Sequence, residues 1–180
     1  MNTDQNLSTK LSPKLTREHL HMMLSELDPD EFTLFHLTTT YLPYQEFIYT
    51  EKIINKFFTN FYLKTLLPEL FHTRKWSITK RLKQPLLLGF VDEHEQKPVQ
   101  VNSNQDQPIY NYPIRLHHHS IIASRSTTTE FFMGQVGVNT FNRYSSKFMT
   151  TDLKKCDADR LFYASKMLWK YPDHLVFGKR

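Results

Sequence analysis

Apolar residues recur along this chain with two periods, and the changes between them set out its elements. Leu20, Met23, Leu24 and Leu27 recur at helical spacing, Thr16 can cap them, and Asp28-Pro29-Asp30 ends the run, so a short helix is predicted over Thr16–Leu27. Phe32–Tyr41 (FTLFHLTTTY) is rich in aromatic and β-branched residues that alternate two by two, which predicts a strand. Pro43 closes it and opens a long helix from about Tyr44 to Leu66, reaching Phe71 after an interruption at Pro68. Phe47, Ile48, Ile54, Phe57, Phe58, Phe61 and Leu66 give that helix a broad apolar face.

Further strands are predicted over Pro85–Glu93 (PLLLGFVDE), Tyr112–Ala123 (YPIRLHHHSIIA), Phe131–Val138 and Tyr144–Thr151. A long polar excursion, about Glu95 to Asn111, joins the first two of these. Asp152–Tyr171 reads as a closing helix, with Leu161, Ala164, Ser165 and Leu168 along one side. Several strands with only one or two helical connections predict an α+β fold, a central antiparallel sheet with helices packed mainly on one face. The expected organisation is an N-terminal extension over 1–30 with its short helix, then one domain over 31–180.

Composition narrows the class. The chain has 180 residues, enough for one domain with a real core, and its 14% aromatic content argues against disorder. The longest clean apolar run, Leu86–Val91, is far short of the roughly 20 residues of a membrane span. Met1–Lys10 is polar and lacks an apolar signal core, and Cys156 is the single cysteine, which excludes a disulfide framework and a cysteine-rich zinc site. A cytoplasmic protein without membrane contacts is therefore expected. Its net charge of +5 suits an anionic partner. With four glycines and no G-x-x-x-x-G-K-[ST] segment, nothing points to an ATPase.

Two motifs carry candidate chemistry. On a strand, residues two apart share a face, so His117 and His119 of the His117-His118-His119 run project side by side as half of a divalent metal site. His118 points the other way and reads as a core or sheet-face histidine. His19 and His21 lie in the predicted first helix, where residues two apart diverge. Of three Y-x-x-K segments, at Tyr49, Tyr144 and Tyr163, the last lies in the closing helix, where Tyr163 and Lys166 share a face.

Three segments in order resemble the HUH endonucleases, the single-strand DNA nickases that include rolling-circle replication initiators, relaxases and some transposases. Phe35–Tyr41 (FHLTTTY) is similar to their first motif, Leu116–Ile122 (LHHHSII) to their His-x-His metal motif, and Leu161–Lys170 (LFYASKMLWK) to the tyrosine helix of single-tyrosine initiators. The middle residue of the metal motif is usually hydrophobic in the family, and here it is His118. The resemblance implies a replication-initiator-like fold and a divalent cofactor, Mn²⁺ or Mg²⁺, held by His117, His119 and a third ligand. That ligand falls in the Asp92-Glu93-His94 cluster; strand parity does not choose among the three without the register, and Glu93 is favoured, with Asp92 next.

The implied activity is sequence-specific nicking and joining of single-stranded DNA. Tyr163 would be the nucleophile, attack would leave a 5′-phosphotyrosine, and Lys166 would stabilise developing negative charge. The favoured role is initiation of rolling-circle replication of a plasmid or phage at an origin or hairpin, with a separate helicase. A small insertion-sequence transposase and a non-catalytic DNA-binding domain are the alternatives, as is a metal-dependent hydrolase that uses water. Aromatic residues interleaved with cations suit single strands, which makes Lys75, Trp76, Lys80, Arg81, Arg125 and Arg143 candidate DNA contacts, although each alone also fits a solvated face.

Overall fold

The computed structural model describes residues 13–41, 50–71, 84–95, 99–100, 110–111, 114–136 and 149–178. Its strands are β1 (Phe32–Tyr41), β2 (Leu86–Glu95), β3 (Val99–Gln100), β4 (Tyr110–Asn111), β5 (Ile114–Arg125), β6 (Met149–Lys155) and β7 (Leu175–Phe177). Five of them form one sheet in the order β6-β1-β5-β2-β7, antiparallel at every step, while β3 and β4 pair with each other inside the polar excursion. The α+β class with an antiparallel sheet is thus as expected, and β1 has the predicted bounds.

Helices cover both faces, not mainly one. On one face Phe35, Leu37, Tyr41, Leu87, Val91, Ile122 and Leu153 form a core with Ile54, Phe58 and Phe61 of α2 (Glu51–Phe61) and with the residues that follow it. On the other, Leu88, Phe90, Ile121 and Ala123 pack against Leu20 and Leu24 of α1 (Pro13–Ser25), and against Leu161, Ala164 and Leu168 at the C-terminal end. The cause is legible in retrospect. Leu87–Val91 and Ser120–Ser124 are buried at every consecutive position, the pattern of a strand sandwiched between two layers.

The helix after residue 50 passes through Pro68 without ending. Pro68 has no amide proton to give the preceding turn, and the chain accommodates it with a π-helical segment, Tyr62–Leu66, in which the Leu67 N–H reaches back to the Tyr62 carbonyl. A last turn, α3 (Leu67–Leu70), completes the element with Pro68 in its first turn.

Two predicted elements are corrected. The strand expected over Phe131–Val138 is helical at its described start, where α4 spans Ser126–Met133. The Thr128 and Thr129 hydroxyls donate to the Arg125 carbonyl at 3.1 and 3.0 Å and curl the chain as it leaves β5. Phe132 then packs on Phe35, so burial overrides the β-propensity of the segment. The closing helix expected over Asp152–Tyr171 is mostly something else. Thr151 and Leu153 are buried between exposed Thr150, Asp152 and Lys154, a period of two, and β6 runs on to Lys155. Only α5 (Arg160–Ala164) is helical there, turns follow to Lys170, and β7 adds an edge strand.

His118 occupies the α2 face, as its parity requires. Its ring is fully buried and stacks on Phe58 at 4.1 Å, and Nδ1 lies 3.1 Å from Ser120 Oγ. The ring has room because Gly89 has no side chain: a Cβ there would meet His118 Cε1 at 2.3 Å. Burial pushes this imidazole from an ordinary 6.5 down to about 3.

Gly89→Ala is expected to lower stability by about 1–3 kcal/mol, because the added methyl overpacks the core, and to lower it less in a His118→Ala background. Thermal unfolding in chelator checks both. Below the ordinary value of 6.5 the unfolded His118 takes up a proton that the folded ring refuses until about 3, so acid favours unfolding across that window. Stability measured in chelator should fall as pH drops through it, and less steeply in His118→Leu.

Candidate metal centre and its tyrosine

The site is built by register. In the antiparallel sheet Asp92 of β2 sits opposite His117 of β5, and Thr38 of β1 sits opposite His119. Residues two apart on a strand share a face, so His117 and His119 both turn away from the α2 core and towards Asp92. Asp92 Oδ2 lies 3.3 Å from His117 Nε2 and 3.1 Å from His119 Nε2, and the two Nε2 atoms are 3.0 Å apart. All three residues are buried, and their ligand atoms fall within 4.8 Å of one another.

The carboxylate is Asp92, where Glu93 was favoured from sequence. One step along β2 reverses the side chain. Glu93 sits opposite Leu116, which packs into the α2-side core, and its carboxylate is held by Lys170 Nζ at 2.6 and 2.8 Å and by the Tyr171 hydroxyl. Lys170 and Tyr171 hold Glu93 below its ordinary value, outweighing the opposing effect of its burial.

Electrostatics favour a cation. Burial would push the Asp92 carboxyl up, but His117, His119, Lys166 and the Glu93 backbone N–H outweigh it and hold the group well below the usual carboxylate range. Burial lowers His119, and lowers His36 to about 3, so both rings are neutral at ordinary pH. An anionic oxygen beside two imidazole nitrogens is a donor set for a divalent metal. The geometry passes a second test. Three nitrogens lie within 3.3 Å of buried Asp92 Oδ2, yet none approaches it along a hydrogen-bonding direction. Asp92, His117 and His119 can therefore hold a metal ion.

Sequence reasoning missed the layer behind these residues. His36 Nε2 and His119 Nδ1 share a hydrogen bond of 3.0 Å, and Thr38 Oγ1 lies 3.3 Å from the same Nδ1. Arg160 Nε donates to His36 Nδ1 at 3.2 Å. Such partners fix the orientation of a ligating imidazole. The signal in the sequence was the parity of His36 and Thr38 within FHLTTTY, but it becomes informative only once β1 is paired with β5.

Tyr163 reaches this group from α5. Leu161, Ala164 and Leu168 fasten the segment to the sheet, and the buried Ser165 hydroxyl donates to the Leu161 carbonyl at 2.7 Å. The Tyr163 ring then stands edge-on to His119, with centroids 5.1 Å apart, and edge-on to His36 at 6.0 Å. The Arg160 guanidinium lies 4.1 Å from the ring centroid and Lys166 Nζ 4.7 Å from it. Lys166 Nζ is also 2.9 Å from Asp92 Oδ2. Tyr163 keeps 39% of its surface exposed, so the ring touches both the buried group and solvent.

The other candidates separate from the site. His21 pairs with Asp159 at 2.8 Å and stacks on Phe162. Arg125 is paired with Glu31, lies over the Phe32 ring, and sits six residues beyond His119 on β5, about 20 Å at the usual strand rise. Lys75, Trp76, Lys80, Arg81 and Arg143 lie outside the described residues, as do Tyr49 and Tyr144. Among the described residues no helix is long and apolar enough to cross a membrane. Comparisons with protein-family models, with curated proteins and with solved structures find no match.

Mn²⁺ is expected to stabilise the wild-type protein by about 2.7 kcal/mol at a free concentration one hundred times its dissociation constant, and so to raise its unfolding midpoint. Asp92→Ala and His117→Ala should abolish the gain and Glu93→Gln should keep it, as read by thermal unfolding with and without the ion.

Proposed function

We propose that this protein is a metal-dependent single-stranded DNA endonuclease that nicks and rejoins through Tyr163, with initiation of rolling-circle replication as its favoured role. One observation carries the reading: the Tyr163 ring stands 5.1 Å from His119 of a buried Asp92–His117–His119 group, with Lys166 between tyrosine and carboxylate. Tyrosine, histidine pair and lysine are the residues the resemblance to the HUH endonucleases singles out, and they come from β5 and the α5 segment, far apart in the chain.

The chemistry follows from these side chains. Asp92, His117 and His119 would hold the ion, and mixed nitrogen and oxygen ligation suits Mn²⁺. When bound, such an ion supplies Lewis-acid polarisation of a phosphodiester and orients it. A phenol is a weak acid and needs help to lose its proton as it attacks. Lys166 Nζ, 4.7 Å from the ring centroid, is placed to stabilise the developing phenolate. Attack forms a bond from the phenolic oxygen to phosphorus and breaks the bond to the 3′ oxygen, which takes up a proton. The products are a 5′-phosphotyrosine and a free 3′-OH. The phosphodiester is conserved, so the reverse attack reseals the strand and no nucleotide hydrolysis is involved.

The test is denaturing electrophoresis of the protein with Mn²⁺ and a labelled pool of random-sequence single-stranded DNA. A covalent adduct is expected. It should vanish in Tyr163→Phe and in chelator, and fall by about 10–100-fold or more in His119→Ala. Cleavage that leaves a free 5′-phosphate with no adduct, and that persists in Tyr163→Phe, would mean water is the nucleophile and would end this reading.

A further inference from the structure

A cavity of about 460 Å³ opens beside the tyrosine, walled in part by His36, Tyr163 and Arg160 and by Lys154 and Lys155 of β6. Lys154 lies opposite His36 in the sheet register, so the cavity adjoins the layer that supports His119.

We propose that this cavity is a phosphate subsite for the strand that Tyr163 attacks, with Arg160 as its principal donor; this rests on the reading of the site as a nickase. The guanidinium is already fixed in place. Its Nε is committed to His36 Nδ1 at 3.2 Å, and its Cζ lies over the Tyr163 ring, 4.1 Å from the centroid. Among the described residues its two terminal nitrogens have no hydrogen-bond partner, and Arg160 lines the cavity. A planar fork of this kind matches two oxygens of a phosphodiester, and little side-chain entropy remains to be lost on binding.

The cavity wall also carries two carboxylates, Asp159, which lies 2.8 Å from His21, and Asp157, whose Oδ1 accepts the Arg160 backbone N–H at 3.2 Å; the three cations Lys154, Lys155 and Arg160 outnumber them. Among the described residues Lys154 is paired only with Asp152, at 2.9 Å, and both side chains are more than half exposed, a pair worth little in water. Lys154, which shares the His36 face of the sheet, is thus available to a second oxygen or to the next phosphate. A strand seated here carries one phosphate on Arg160 while its neighbour reaches the Tyr163 hydroxyl and the Asp92–His117–His119 group, so Arg160 would orient nucleophile and substrate together.

Equilibrium binding of a fluorescent single-stranded oligonucleotide tests this without any cleavage. It is measured in a Tyr163→Phe background with Mn²⁺ over a range of salt. Arg160→Ala should weaken binding at least tenfold, and Lys154→Gln several-fold. Each should also flatten the salt dependence, by about one phosphate for the arginine. Arg160→Lys keeps the charge but loses the fork and should fall in between. Lys154 is exposed on an edge strand, so its variant keeps the test decisive if Arg160→Ala fails to fold. Binding within twofold of the parent in both the arginine and lysine variants overturns the subsite. So does displacement of the oligonucleotide by micromolar mononucleotide, which would make the cavity a site for a free nucleotide. Loss of binding in these variants from a protein that forms no covalent adduct would instead keep the subsite and reject the nickase.

Discussion

A carboxylate buried among imidazoles is the constraint on which this structure turns. Asp92 is fully buried, and an isolated charge in that position would cost several kcal/mol. The sheet supplies what the charge requires, because the β2–β5 register sets His117 opposite it and His119 two residues further along the same face. Lys166 closes the fourth side at 2.9 Å. A one-residue slip in that register would bring Glu93 to the imidazoles and turn Asp92 into the α2 core, so the same pairing that builds the site also fixes which strand faces are apolar.

The rest of the molecule can be understood as support for that pairing. Two hydrophobic layers clamp the three central strands, α2 with its π-helical continuation on one side, α1 and α5 on the other. The back layer includes a polar residue directly behind the site, His118, which is accepted only because Gly89 leaves space for its ring. The front layer is interrupted where the catalytic candidates lie. Leu161, Ala164 and Leu168 anchor α5 and the turn after it, and the residues between them, Tyr163 and Lys166, project over the histidines instead of into a core. A short helix serves this better than the long one expected from sequence, since the turns from Ser165 to Lys170 return the chain to β2, where Lys170 and Tyr171 bind Glu93.

What could be read from sequence follows from what is local. The β1 bounds, the shared face of His117 and His119, and the opposite orientation of His118 depend only on the period of a strand, and the structure agrees with each. The choice between Asp92 and Glu93 depends on how β2 meets β5 across a long connection, which no local pattern encodes. His36 and Arg160 were invisible for the same reason: their partners lie 83 and 124 residues away. The misread segments are those where tertiary contacts outweigh propensity. Phe131 and Phe132 are good strand residues drawn into a helix by the core, and β6 alternates too briefly to stand out beside a helical run that begins at Arg160.

Charge explains why these groups belong together. Asp92 and Lys166 alone are a neutral pair, and His36 and His119 add no charge because burial keeps both rings unprotonated. A divalent ion among the three ligands would make this patch strongly cationic, at a place where the low dielectric of the interior amplifies the field. A phosphodiester and an incipient phenolate are both anions, and neither would be stabilised by the neutral pair. Lys166 is what links the two conditions, since its ammonium touches the carboxylate and lies within 4.7 Å of the tyrosine ring centre. An ion that satisfies Asp92 would compete with that ammonium for the carboxylate oxygen and leave it free to turn towards the phenol. In the proposed reaction the lysine would be a counter-ion exchanged between two oxygens.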